Sequence, residues 1–197
     1  MDYERLIRAS NGRIAVEDLQ LLERACAAAR ARHLVEIGSA DGGSSVVLGS
    51  QARQRSGHLT CIEPKPKQRM IDNMQRYGLI RHYTLIPAAS PWLGALEAQL
   101  PESIDLLFID GCHEVRHCLV DYHYLAPRVR PGGVIVFHDT GGHCQEDRHQ
   151  GDFGRAGYVP LVVRAIEIIR STDALEEIDR SDAVVGGAIA YRKGGPA

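Results

Sequence analysis

Residues 110–117 read Asp-Gly-Cys-His-Glu-Val-Arg-His and contain a literal H-E-x-x-H, from His113 to His117. On a helix, that pattern puts two imidazoles on one face to hold zinc, with the glutamate as general base. His123 falls where the longer H-E-x-x-H-x-x-G-x-x-H pattern has its third ligand. The surroundings oppose a zinc metalloprotease. His113 comes just after Asp110-Gly111, at the close of an apolar run, so it belongs to a strand-to-helix turn or a first helical turn. The longer pattern breaks its helix with glycine, and Val120 stands there instead. On an unbroken helix His123 would lie about 15 Å along the axis from His113 and about 80° around it. The methionine turn of such enzymes is also missing, since Met1, Met70 and Met74 are all upstream.

The elements that must position these residues follow a simple order. Short apolar runs at 33–38, 58–63, 82–87, 104–110 and 132–139 read as buried strands. Segments 14–31, 41–54, 66–78, 90–98, 114–126 and 159–171 carry helical spacing or good helix formers. The stretch 175–193 offers two strands with no helix between them, which predicts an antiparallel pair at one side. Strands alternating with helices predict an α/β fold: an open, Rossmann-like, mostly parallel sheet with helices on both faces. Residues 1–32 read as an N-terminal helical segment packed on a single domain over 33–197. Ligands of such sheets bind beyond the carboxyl ends of the strands. Glu36, Glu63, Asp110, His138 and Asp139 all fall at those ends.

The turn "VEIGSADGGSS", residues 35–45, is rich in glycine and joins the first strand to its helix. Such a turn lets a ligand approach the backbone and aims helix N–H groups at it. Glu63 closes the next strand, where a carboxylate can take both hydroxyls of a ribose. A nicotinamide-dependent oxidoreductase would satisfy these features too, but it wants G-x-G-x-x-G and a pyrophosphate at the helix start. Here the nearest match is Gly38-x-Ala40-x-x-Gly43, and Glu36 precedes it. A carboxylate aimed into that turn repels a pyrophosphate and suits the ammonium of an amino-acid tail.

This turn resembles motif I of class I S-adenosylmethionine-dependent methyltransferases. The likeness continues through "CIEP", the segment 104–140 and the closing "GAIAYRK", and covers roughly residues 30–193. More narrowly, the sequence is similar to bacterial small-molecule O-methyltransferases of the cephalosporin-hydroxylase-like and macrolide-sugar type. The resemblance implies a seven-stranded sheet with its last strand antiparallel, S-adenosylmethionine as cofactor and a small-molecule acceptor. It implies that Glu36 and Gly38 face the methionine part of the cofactor, within a turn formed by Ser39, Asp41, Gly42 and Ser44. Glu63 would bind the ribose, with Pro64, Ala89 and Ser90 near the adenine and Asp110 near the reactive methyl. Two departures stand out: Ala40 replaces a glycine common in motif I, and Val115 replaces an aromatic often found after the family's histidine.

A hydroxyl acceptor is a poor nucleophile at neutral pH and needs a general base, a metal that lowers its pKa, or both. Asp110, His113, His138 and Asp139 can converge on one rim. His113 is the candidate base, with an ordinary pKa of about 6.5. Asp110 and His138 are further candidates for the catalytic set. Asp110 and Asp139 offer hard oxygen ligands for Mg²⁺ or a similar divalent ion, with His138 as a softer third ligand. The plainer alternative has Asp110 orienting the cofactor while His138 and Asp139 only shape the pocket. The loop 140–157, with His143 and His149, reads as a lid or substrate loop. His117, His123, Cys112 and Cys118 read as structural or exposed.

Composition bounds the partners. The 197 residues are 44% apolar and 24% charged, with a net charge of −2, which fits one globular domain and gives no footprint for nucleic acid or a membrane surface. Neither a signal peptide nor a membrane-length apolar run is visible. The five cysteines lack C-x-x-C spacing and read as reduced thiols of a cytoplasmic protein. Homo-oligomerisation stays open.

Overall fold

The computed structural model describes residues 1–12, 14–89, 97–141, 161–181, 183 and 186–195. Seven strands form one sheet in the order β3-β2-β1-β4-β5-β7-β6. They are β1 His33–Ile37, β2 His58–Ile62, β3 Tyr83–Ile86, β4 Ile104–Ile109, β5 Val129–His138, β6 Leu175–Arg180 and β7 Ala188–Lys193. The first five run parallel to one another. β7 enters between β5 and β6 and is antiparallel to both. The fold class is therefore the Rossmann-like α/β sheet that the alternation of elements implies.

Each central strand is buried on both faces, which is why it reads as a continuous apolar run. Leu34, Leu59, Leu106, Phe108, Val134 and Val136 point to one core, against α2 (Val16–Ala28), α3 (Gly43–Gln54) and α4 (Gln68–Arg76). Val35, Ile37, Leu107, Ile109, Ile135 and Phe137 point to the other, against α5 (Val115–Leu125) and α6 (Leu161–Arg170). A short α1 (Tyr3–Ala9), capped by the Asp2 carboxylate accepting from the Arg5 N–H, adds Leu6 to the first core.

Three features depart from expectation. β5 begins at Val129 rather than 132, because a bulge opposite Ile104 and Leu106 carries the strand through Pro131, Gly132 and Gly133. α1 is a separate helix ahead of the expected one. α5 starts at Val115, one residue later than expected, with Glu114 as its extended N-cap residue, and His113 lies in the preceding turn as its place after Asp110-Gly111 implies. The helix expected over 90–98 and the loop expected over 140–157, with His143 and His149, lie largely or wholly outside the described residues. No helix among the described residues is long and apolar enough to cross a membrane.

Candidate active site

The carboxyl ends of β1 to β4 open on a cavity of about 510 Å³, within the roughly 300–1,000 Å³ range of small-ligand sites. Of the residues expected to hold a cofactor, Gly38, Glu63, Pro64, Ala89 and Asp110 lie on its wall. Gly38 has φ +83°, and a Cβ there would stand 2.0 Å from the Asp110 carbonyl oxygen, so the β1 turn can cross the end of β4 only as glycine. Gly42, at φ +85°, is the N-cap residue of α3. Ala40 also lies on the cavity wall with φ +41°, a left-handed position that a glycine would hold without strain.

Glu63 is anchored before any ligand arrives. Its Oε2 accepts from the Ser39 and Ala40 N–H groups at 3.2 and 3.3 Å, and its Oε1 from the Lys65 N–H at 3.0 Å. A carboxylate oxygen has room for further donors, so this anchoring aims the group without using it up.

Glu36 is placed differently from the sequence expectation. It is penultimate in β1, and the alternation of the strand turns its side chain toward α3 rather than toward the cavity. It is fully buried, and its two oxygens accept from Ser44 Oγ and Ser45 Oγ, each at 2.5 Å, with the Cys61 thiol at 3.3 Å. Burial pushes its carboxyl up to about 7, against the lowering effect of the Ser44, Ser45 and Cys61 hydrogen bonds. Glu36 therefore ties β1 to the first turn of α3 and shapes the Gly-rich turn from behind. It is not among the residues that line the cavity. Ser44 serves Glu36 in turn. Asp41 faces α4, pairing with Lys67 at 3.3 Å and Arg69 at 3.9 Å. Ser39 is buried and contributes its backbone N–H to Glu63. Ser90 lies outside the described residues.

At the β4–β5 side of the cavity stands a cluster of acids and imidazoles. His138 Nδ1 is 3.0 Å from Asp110 Oδ1 and 3.2 Å from Asp139 Oδ2, and its Nε2 is 3.1 Å from Asp18 Oδ2. His113 Nε2 is 2.8 Å from Asp139 Oδ2 and 4.0 Å from Asp110 Oδ1. Burial alone would push His138 down, but the surrounding carboxylates outweigh it and hold the ring well above the ordinary histidine pKa, as an imidazolium. Burial raises the Asp139 carboxyl, but hydrogen bonds from His113 and His138 overcome that and hold it well below the usual carboxylate range. Burial raises Asp110, assisted by the Asp139 charge and opposed by His138. Asp139 itself has φ +55°.

This arrangement revises the expected metal ligands. Both ring nitrogens of His138 already face carboxylates, of Asp110 and Asp139 on one side and Asp18 on the other. The donor atoms of Asp110, His113 and Asp139 lie within 4.8 Å of one another and could hold a cation together. Asp18 is the member that sequence reasoning missed. It is a carboxylate on the apolar stripe of α2, beside Leu19 and Leu22, and that misfit was its only signal. The same reasoning took Cys112 and His117 as structural or exposed; Cys112 is exposed, and both also line the cavity.

The sequence profile of the family described as "Methyltransferase domain" matches residues 35–140, more than half of the chain. An uncharacterised protein of Acanthamoeba polyphaga mimivirus is 29% identical over 116 residues, which are 53% of this chain and 50% of that protein, so the match spans half the length of its relative. Among solved structures, the fold is similar to the O-methyltransferase TomG from Streptomyces achromogenes, involved in tomaymycin synthesis and in complex with S-adenosylmethionine. That similarity has TM-score 0.72 and 16% identity, covering 98% of this chain and 89% of that one. It is equally similar to an O-methyltransferase from Bacillus cereus in complex with S-adenosylhomocysteine, with TM-score 0.72 and 18% identity, covering 97% and 90%. The strand order, the Gly-rich turn over Glu63 and the profile match agree, and the chain belongs to the methyltransferase domain family.

Proposed function

We propose that this protein transfers the methyl group of S-adenosylmethionine to an oxygen of a small-molecule acceptor. The observation that carries this reading is the junction at Asp110: one residue belongs both to the nucleoside-sized cavity and to the acid–imidazole cluster. When bound, S-adenosylmethionine supplies a methyl group on a sulfonium, ready for in-line displacement. The protein's part is orientation and proton handling.

Glu63, pinned by three backbone N–H groups, accepts the ribose hydroxyls. Gly38 and Ala40 let the methionine end lie against the turn, while Pro64, Ala88 and Ala89 make the apolar wall for the adenine. Asp110 marks the boundary between cofactor and acceptor. His113 takes the acceptor's proton, with its Nε2 donating to the Asp139 carboxylate; this is the base–orienter pair of general-base catalysis. His138 and Asp18 neutralise and fix the carboxylates. A second reading rests on the mutual closeness of Asp110, His113 and Asp139. These residues would hold Mg²⁺ or a similar ion, which supplies a Lewis acid that lowers the acceptor hydroxyl's pKa.

Incubation with methyl-labelled S-adenosylmethionine and a panel of phenols, sugars, other hydroxylated compounds and amines tests the proposal. Labelled ether product with stoichiometric S-adenosylhomocysteine is expected. Label confined to amine acceptors would contradict transfer to oxygen.

A further inference from the structure

His113 joins the Asp110 cluster, but the other two functional letters of H-E-x-x-H do not. Glu114 and His117 turn instead to Cys112. Cys112 Sγ lies 3.3 Å from His117 Nδ1, and Glu114 Oε2 lies 3.3 Å from the same nitrogen. The three donor atoms are all within 4.8 Å of one another. Around a tetrahedral zinc ion with bonds of about 2.0–2.3 Å, donor atoms stand about 3.3–3.6 Å apart. The turn holds the set in place. The N–H groups of His117 and Cys118 donate to the Glu114 carbonyl at 2.9 and 3.1 Å, and the Cys118 thiol donates to the Cys112 carbonyl at 3.3 Å. Cys112 and Glu114 are exposed, and Cys112 and His117 also form part of the cavity wall. Arg116 Nε competes for Glu114, 3.6 Å from Oε2 on a largely exposed side chain.

We infer that Cys112, Glu114 and His117 form a binding site for a zinc-class divalent ion, distinct from the Asp110 cluster, and that an ion held there obstructs the cofactor cavity. The obstruction rests on the methyltransferase reading; the site does not. A thiolate with an imidazole selects zinc or cobalt over magnesium, whereas the Asp110 set is hard and oxygen-rich. Binding forms one bond each to sulfur, nitrogen and oxygen. The thiol proton leaves to solvent, and the imidazole proton resides on Nε2. This is not a protease centre: Glu114 is a ligand rather than a base, and His113 belongs elsewhere.

The test is titration of the full chain with Co²⁺, followed by absorption. A thiolate-to-cobalt charge-transfer band saturating at one ion per chain, and erased by Zn²⁺, is expected. Cys112→Ser should abolish the band, while His113→Ala should keep it. His117→Ala and Glu114→Gln should weaken Co²⁺ binding by about tenfold or more, since even outer-shell changes cost that much. A native-chain measurement needs no variant: Zn²⁺ should protect Cys112 from alkylation, read by peptide mass mapping. No band, a band that survives Cys112→Ser, or Cys112 alkylated equally fast with zinc overturns the site. Zn²⁺ should also raise the apparent Kd for S-adenosylhomocysteine by about tenfold or more in the native chain and leave it unmoved in Cys112→Ser. Unmoved affinity in the native chain overturns the obstruction. Failure of S-adenosylhomocysteine to bind at all overturns the methyltransferase reading while leaving the cobalt result standing.

Discussion

Asp18 on α2 and His138 at the end of β5 meet with Oδ2 and Nε2 3.1 Å apart, 120 positions apart in the chain. Asp18 also accepts from the Ser181 hydroxyl and, at 3.3 Å, from the Gly187 N–H. One carboxylate on α2 thus secures both the β6–β7 connection and the buried imidazolium that steadies Asp110 and Asp139.

Removing that carboxylate leaves a buried cation short of one partner. Asp18→Ala should destabilise the fold by about 3–5 kcal/mol, the usual scale for breaking one side of a buried ion pair. Asp18→Asn should cost less, since an amide oxygen can still accept from Nε2–H. Denaturant melts of the three proteins check the order. Asp18→Ala within about 1 kcal/mol of the native protein would mean that the contact carries little.

Glu36 gives stability an unusual pH dependence. Its folded pKa is raised to about 7 from an ordinary 4.5, so the folded state binds the extra proton. The sign follows: its contribution is complete below about pH 4.5 and is lost as pH rises through 7, opposite to a salt-bridged carboxylate. The loss amounts to roughly 3 kcal/mol at about 1.4 kcal/mol per unit. Glu36→Gln should abolish this fall, seen as the difference between the two proteins' unfolding free energies at pH 5 and pH 8. A constant difference across that range would contradict the buried, raised carboxyl.

Ala40 holds a left-handed backbone at φ +41°. Ala40→Gly should relieve the strain of about 1–2 kcal/mol and lose about 0.4–1 kcal/mol to the freer unfolded chain. A small net gain, visible as a rise in Tm, is expected. A fall in Tm would show that the alanine methyl packs better than its strain suggests.

The strand ends were legible because buried parallel strands read as apolar runs, and Glu63, Asp110 and Asp139 are the polar residues that close them. The direction of Glu36 was not. It lies one residue inside its strand, and that parity turns it from the cavity to α3. The early start of β5 was hidden because Pro131-Gly132-Gly133 carries a breaker's composition, and only pairing with β4 keeps it in the sheet. Asp18 could not be matched to His138 without the tertiary fold. The H-E-x-x-H pattern is divided by the fold as its context implied: the helix begins after Glu114, and its two histidines fall in different groups of donor atoms.

His113→Ala should lower turnover by about 100-fold or more, the scale of a lost general base. Glu114→Ala should cost far less, because Glu114 stands outside the Asp110 cluster. Chelator treatment separates the two readings of that cluster. Full activity after chelation supports the base alone. Loss that Mg²⁺ restores, and that Asp139→Ala reproduces, supports the metal. If His113→Ala is fully active, neither reading of His113 survives.

The most direct measurement is calorimetric titration with S-adenosylhomocysteine and, separately, with NAD⁺ and NADH. S-adenosylhomocysteine should bind with about 5–8 kcal/mol, low micromolar to submillimolar. Glu63→Ala should weaken it tenfold or more in a protein that still melts cooperatively, since each charged hydrogen bond to the ribose is worth about 1.5–3 kcal/mol. The nicotinamide nucleotides should give no binding heat. Tight NAD⁺ or NADH binding with no response to S-adenosylhomocysteine would contradict the account at its centre.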